Sequence, residues 1–342
     1  MIYSPVIIPT LNRFYHFKRC LESLEKCTGA EFTDVYIGLD YPPSEKYIDG
    51  WKKIDNYLHS KELNNLFRSL TVYRRTSNYF STEIGNAGAI ISDIENRYGS
   101  YIFSEDDNEF SKNFLLYINK GLELFEYDKD VIAICGCSET DWIKNDKENI
   151  LKVKLNSGYG IATWIKKNRI VKSECSKFLM DKNNWNLGNF YSLFKNNKCL
   201  FTKYINEIIA RDDGLFWKDK SIMNVCDTPK SIYMHLTEKC VIVPSVSKSR
   251  TYGNDGSGVN MPKIEDETVE LDSSQYFDYC YDKSITFNNK NYKIGNAYLK
   301  RATSWKQLLL SMINLLILFC SNKNRNFVIR IYKYFNHNYH AW

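Results

Sequence analysis

The sequence predicts an α/β fold: a mostly parallel central sheet flanked by helices, with a C-terminal helical tail. Three observations carry this. Over roughly the first 135 residues, apolar runs of strand length alternate with stretches of helical periodicity, the pattern of a parallel sheet covered on both faces. One strand-like run, Tyr101-Ile102-Phe103, leads into three consecutive carboxylates, Glu105, Asp106 and Asp107. Strand side chains alternate faces, so three acids in a row belong where a strand leaves the sheet, at the edge where α/β folds bind ligands. Finally, 342 residues with 44% hydrophobic and 15% aromatic content suffice for one large domain or two halves.

The elements follow in order. Pro5–Pro9 (PVIIP) is a short buried strand closed by Pro9, and Thr10–Arg13 is a polar turn. Phe17, Cys20, Leu21 and Leu24 then form one helical stripe. Val35, Ile37 and Leu39 alternate as a second strand, ended by Asp40 and the turn Tyr41-Pro42-Pro43. Trp51, Ile54 and Leu58 mark a helix, Leu70–Tyr73 a third strand, and Ala87–Tyr98 a helix stopped by Gly99. After the acidic strand end, Ser111 is placed to cap a helix carrying Phe114, Ile118, Leu122 and Phe125, and Val131–Cys135 is the next strand.

The second half is less regular. Asp141–Asn156 reads as a polar loop, and Ser157–Gly160 as a turn entering an apolar helix at Ile161–Trp164. Asp181–Lys198 is Asn-rich with little ordering pattern. Tyr204, Ile205, Ile208 and Ile209 make a helix leading into Arg211-Asp212-Asp213-Gly214. Val241–Val243 is a strand, followed by a Gly- and hydroxyl-rich loop containing Lys248 and Arg250. The apolar run Leu308–Phe319 is too short to span a bilayer, which needs roughly 20 residues. Basic Lys323, Arg325, Arg330 and Lys333 follow it, interleaved with aromatics. Residues 305–335 therefore suit an anionic membrane surface, or a helix docked on the core or forming a dimer.

Several function classes drop out. A net charge of +6 does not demand a nucleic-acid partner. Ten cysteines without a C-x-x-C pair argue against structural zinc or a thioredoxin motif, and Cys135-Gly-Cys137 reads as core thiols. His235 reads as a core histidine rather than a metal ligand. The Rossmann glycine motif and the P-loop are absent. The N-terminus enters a strand without a basic leader, so a cytoplasmic location is expected. What remains is a cluster of hard oxygen donors suited to Mn²⁺ or Mg²⁺, with phosphate oxygens completing the shell.

Four segments in this order resemble glycosyltransferases of the GT-A (Rossmann-like) fold: PVIIPTLNRFYHFKRCLESL, DVYIGLD, YIFSEDDNEFSKNF, and RDDGLFW with PSVSKSRTYGNDGSG. The likeness is to β-1,2-N-acetylglucosaminyltransferase I and its relatives, and to bacterial polysaccharide (O-antigen or capsule) glycosyltransferases. It covers about residues 3–260. It implies a nucleotide-sugar-binding half (1–140), an acceptor-binding and catalytic half (141–262) and a C-terminal extension (263–342). Arg13 would contact the nucleotide, Asp40 the uracil N–H, and Glu105 and Asp106 the sugar and ribose. Asp107 would ligate the metal, Asp212 or Asp213 would be the catalytic base, and Arg250 with its loop would close over the donor. Arg211 stands where the family usually has Trp, and Trp217 comes later than usual, so the choice between the two bases stays open, with Asp212 favoured by position.

The implied activity is metal-dependent, inverting transfer of a hexosyl or N-acetylhexosaminyl group from a UDP-sugar to a hydroxyl of a growing lipid-linked bacterial surface polysaccharide. Two alternatives stand beside it. A nucleotidyltransferase shares the sheet and metal acids but needs a glycine-rich N-terminal loop that PTLNR lacks. A non-catalytic sugar-binding scaffold would keep the fold without needing Asp212 or Asp213.

Overall fold

Alternation fixes how the first strands lie. In β1 (Val6–Thr10), Val6 and Ile8 point into one core and Ile7 into another; in β2 (Asp34–Leu39), Val35, Ile37 and Leu39 oppose Tyr36 in the same way. Strands buried on both faces need helices on both faces. The computed structural model describes residues 3–80, 82, 84–138, 148–154, 158–212, 227–257, 269–281 and 304–318.

The remaining strands are β3 (Ser69–Arg74), β4 (Ser100–Phe103), β5 (Asn108–Phe110), β6 (Val131–Cys135), β7 (Ile150–Val153), β8 (Ile161–Trp164), β9 (Cys240–Pro244) and β10 (Ser249–Thr251). Eight of them form one sheet in the order β3-β2-β1-β4-β8-β6-β9-β7. β1, β2, β3 and β4 pair in parallel, as do β6 and β9; β8 runs antiparallel to both β4 and β6, and β7 antiparallel to β9. β5 and β10 make a separate two-stranded antiparallel ribbon.

One face of the sheet packs on α1 (Phe14–Glu25), α2 (Ile48–Leu63) and α4 (Phe114–Leu124), joined by Phe277, Tyr279 and Tyr281 from an extended strap. The opposite face is divided. Over β1, β2 and β4 lies α3 (Gly85–Ile94), with Ile90 and Ile94 inward. Over β6, β9 and β7 lie α5 (Ile165–Met180), α6 (Leu187–Asn196), α7 (Lys198–Asp212) and α8 (Asp227–Leu236). The mostly parallel, helix-covered sheet is the class the sequence predicts.

Several local expectations differ. Ile161–Trp164 is a strand, not the start of a helix: four residues are too few to display a period, and no Gly or Pro separates them from α5. Its polar groups are satisfied: Thr163 Oγ1 donates to the Ile132 carbonyl at 2.9 Å and Trp164 Nε1 to the Leu122 carbonyl at 3.1 Å. The Asn-rich stretch contains α6, whose N-cap Asn186 accepts from the Asn189 amide at 3.0 Å; here Asn is a helix starter. The polar stretch 141–156 contains β7, and α3 ends at Ile94 rather than Tyr98. Ser111 does not cap α4 through its side chain; its carbonyl accepts from the Phe114 amide while its hydroxyl bonds Asn113. The tail forms α9 (Trp305–Leu318), which packs on α7 with Leu308, Ser311 and Asn314 buried. Among the described residues no helix is long and apolar enough to cross a membrane.

Candidate active site

Three parallel strands deliver polar residues to one edge of the sheet. Thr10 ends β1, Asp40 follows β2 with its amide donating to the Thr10 carbonyl at 2.9 Å, and the acidic run follows β4. Asp106 and Asp107 are 7% and 5% exposed, and of the three acids only Glu105 is half-buried. Burying two adjacent carboxylates needs compensation, and Arg13, in the turn before α1, supplies it. Its guanidinium bonds Asp106 Oδ1 and lies 2.8 Å from Asp107 Oδ2. Thr10 Oγ1 donates to Asp106 Oδ2 at 2.9 Å. Burial raises the Asp106 pKa, Arg13 opposes that shift, and the neighbouring Asp107 adds to it. Two carboxyl groups against one guanidinium leave a formal surplus of one negative charge among largely buried side chains.

The ribbon covers this pair. The Asp107 carbonyl accepts the Tyr252 amide at 2.9 Å, and Thr251 Oγ1 lies 3.3 Å from Asp107 Oδ1. Gly253 comes so close that a Cβ there would sit 2.3 Å from Asp107 Oδ2; any other residue would force the carboxylate or the ribbon to shift. The ribbon is fastened to α1: His16 Nε2 lies 3.2 Å from the Tyr252 carbonyl and 3.1 Å from Asp255 Oδ2, and the Arg19 guanidinium stacks 3.8 Å over the Tyr252 ring. Gly160, at φ +72°, makes the turn into β8 beneath the ribbon, its carbonyl accepting the Gly136 amide at 2.8 Å.

Asp40 lies one strand over. Its Oδ1 accepts the amides of Tyr41 and Tyr79, each at 2.8 Å, which ties the loop after β3 to the end of β2. Arg75 beside it donates to Asn86 Oδ1 at 3.0 Å and lies 4.5 Å from the Tyr79 ring.

The structure thus gathers Thr10, Arg13, Asp106 and Asp107, with Asp40 on the neighbouring strand. Arg250 is in the ribbon, but its guanidinium pairs with Glu109 at 2.5 Å and donates to the Val269 carbonyl at 3.3 Å. Asp212 is the last residue of α7, and Asp213 lies outside the described residues, as do Trp217 and the basic positions 323–333. His235 is half-buried rather than in the core: it lies 3.2 Å from Ser192 Oγ, and burial lowers its pKa to about 4. Cys135 and Cys137 are buried thiols. Sequence reasoning missed Thr251, Gly253 and His16. β5 and β10 are each three residues long and pair across about 140 positions, so no local pattern announces the ribbon.

Among the described residues no group of three or more His, Cys, Asp or Glu could hold a metal. The available donors are oxygen only, with one surplus negative charge. That set suits a hard cation bound by one or two carboxylates with phosphate and water completing its shell, the usual manner for Mg²⁺ and Mn²⁺.

No family model and no curated protein matches this chain. Solved structures match over about half of it. S. aureus TarS 1-349 aligns at 16% identity and TM-score 0.33, covering 49% of this chain and 50% of that one. The same protein in complex with UDP-GlcNAc aligns at 16% identity and TM-score 0.31, covering 50% and 43%. The mannosyltransferase PcManGT from Pyrobaculum calidifontis, in complex with GDP-Man and Mn²⁺, aligns at 14% identity and TM-score 0.31, covering 49% and 46%. This chain therefore spans half or less of the length of each of these proteins.

Proposed function

We propose that this chain is a metal-dependent glycosyltransferase that moves a hexosyl or N-acetylhexosaminyl group from a UDP-sugar to a hydroxyl acceptor, with inversion. The observation that carries the proposal is the buried Asp106–Asp107 pair at the C-terminal strand edge, left one positive charge short by Arg13. The acceptor is the growing end of a lipid-linked bacterial surface polysaccharide, an assignment that rests on the family resemblance. Residues 1–140 hold the donor and 141–262 the acceptor, with 263–342 as an extension.

Each residue has a task. Asp107, with Asp106 beside it, would hold the Mn²⁺ or Mg²⁺, which when bound supplies positive charge to the departing diphosphate. Arg13 supplies a second cation at the same place. Asp40, whose Oδ2 makes no hydrogen bond among the described residues, accepts the uracil N–H. Asp212 or Asp213 takes the proton from the acceptor hydroxyl, help worth about 10²–10⁴-fold.

A thermal-shift panel of nucleotide sugars with and without Mn²⁺ tests this. A UDP-sugar should stabilise the chain only with metal, and Asp107→Ala should abolish the response. Equal stabilisation by every nucleotide, or by none, would leave a non-catalytic scaffold as the better reading. The anomeric proton coupling of the product distinguishes inversion from retention.

A further inference from the structure

α9 docks by one stripe only. Leu308, Ser311 and Asn314 face α7, while Trp305 (81% exposed), Leu309 (60%), Met312 and Ile313 form a second apolar stripe turned to solvent. The spacing i, i+4, i+7, i+8 makes that stripe continuous along the helix. It does not stop at α9. Met312 and Leu315 line a groove of about 380 Å³ with Leu187, Tyr191 and Phe194 of α6, and Leu187 and Tyr191 are each 65% exposed. An exposed aliphatic surface shared by two helices is the kind of patch that marks a binding face.

Charge says what it binds. Neither α6 nor α9 contains an acidic residue, and each carries one lysine, Lys195 and Lys306; Lys198, at the start of α7, has its Nζ 5.5 Å from the Trp305 ring and 5.5 Å from the Phe194 ring. No Asp or Glu occurs in the sequence after Asp282, while Lys and Arg recur as far as Lys333. A second copy of this chain is a poor occupant, because a self-complementary contact would set like charges against each other with no acid on either helix. An anionic bilayer satisfies both features: the aliphatic stripe enters the acyl boundary, the Trp and Tyr sit at headgroup level, and the cations meet lipid phosphates.

We infer that the joint surface of α6 and α9 is a membrane-docking face that lies in the plane of an anionic phospholipid bilayer. This is independent of the transferase reading.

The full chain is to be sedimented with vesicles of phosphatidylcholine alone and of phosphatidylcholine with phosphatidylglycerol. Binding only to the anionic vesicles, lost as salt rises, is expected. The triple variant Leu187→Gln, Leu309→Gln, Ile313→Gln should bind roughly tenfold or more weakly with an unchanged melting temperature, since all three side chains face solvent. The Trp305 emission, isolated by difference against Trp305→Phe, should shift to the blue with vesicles. Equal binding to neutral vesicles, no binding to either, or a dimer in sedimentation equilibrium that the triple variant dissociates would each overturn the proposal. So would retention by single-stranded RNA that the apolar substitutions leave untouched.

Discussion

Gly253→Ala places a methyl group against the carboxylate on which the site depends. The backbone at Gly253 does not need a glycine, but the space does: the added Cβ would lie 2.3 Å from Asp107 Oδ2, 3.1 Å from its Cγ and 3.3 Å from Thr251 Oγ1. The first of these is about 1 Å inside van der Waals contact. Either the ribbon retreats, breaking the 2.9 Å bond from the Tyr252 amide, or Asp107 rotates away from Arg13 Nη1, now 2.8 Å distant. Overpacking of this kind costs about 1–3 kcal/mol, and a weakened charge-assisted bond takes the upper end of that range. Thermal denaturation should show the loss without ligand, and titration with UDP-sugar and Mn²⁺ should show roughly tenfold weaker binding, equivalent to about 1.4 kcal/mol. Gly99→Ala is the control: nothing lies within 4 Å of its added Cβ, and a change within about 0.5 kcal/mol is expected. A Gly253→Ala protein with the stability and metal response of the parent would show that the ribbon does not press on Asp107.

Two further outcomes follow from buried charges. Lys248, 2% exposed, bonds the Asp272 carboxylate and lies 4.6 Å from the Phe277 ring, which pins the strap at 269–281 to the core. Lys248→Met should cost about 3–5 kcal/mol by urea unfolding, and Lys248→Met with Asp272→Asn should recover part of it, because the isolated carboxylate is then gone. His235 has a folded pKa lowered to about 4 by burial, so the unfolded chain binds its proton first as pH falls. Its contribution is intact above about pH 6.5 and lost towards pH 4; the melting temperature should fall across that window, and more gently in His235→Gln.

The sheet's first half was legible because its strands and helices each carry enough residues to show a period: Val35, Ile37 and Leu39 alternate, and Phe17 to Leu24 form a stripe. The acidic strand end was legible because three adjacent carboxylates have no place inside a sheet. What stayed hidden has a common physical cause. β8, β5 and β10 are three or four residues long, and their identity comes from partners distant in sequence rather than from their own pattern. The Asn-rich α6 was hidden by composition: Asn discourages helix interiors but starts helices well, and Asn186 sits at the start. Arg13 was visible as a candidate, yet its pairing with both aspartates is a tertiary fact that no spacing encodes.

The reversal of β8 has an effect on how this protein can change. Because Ile161 stands opposite Phe103 of β4 and Cys135 of β6, the backward strand begins at the margin where its two neighbours finish. The polypeptide arriving at Gly160 therefore reaches the sheet beside the acids rather than at the far end. Insertions or deletions between Val153 and Gly160 can change the chain beside the acids while every ladder bond stays in register.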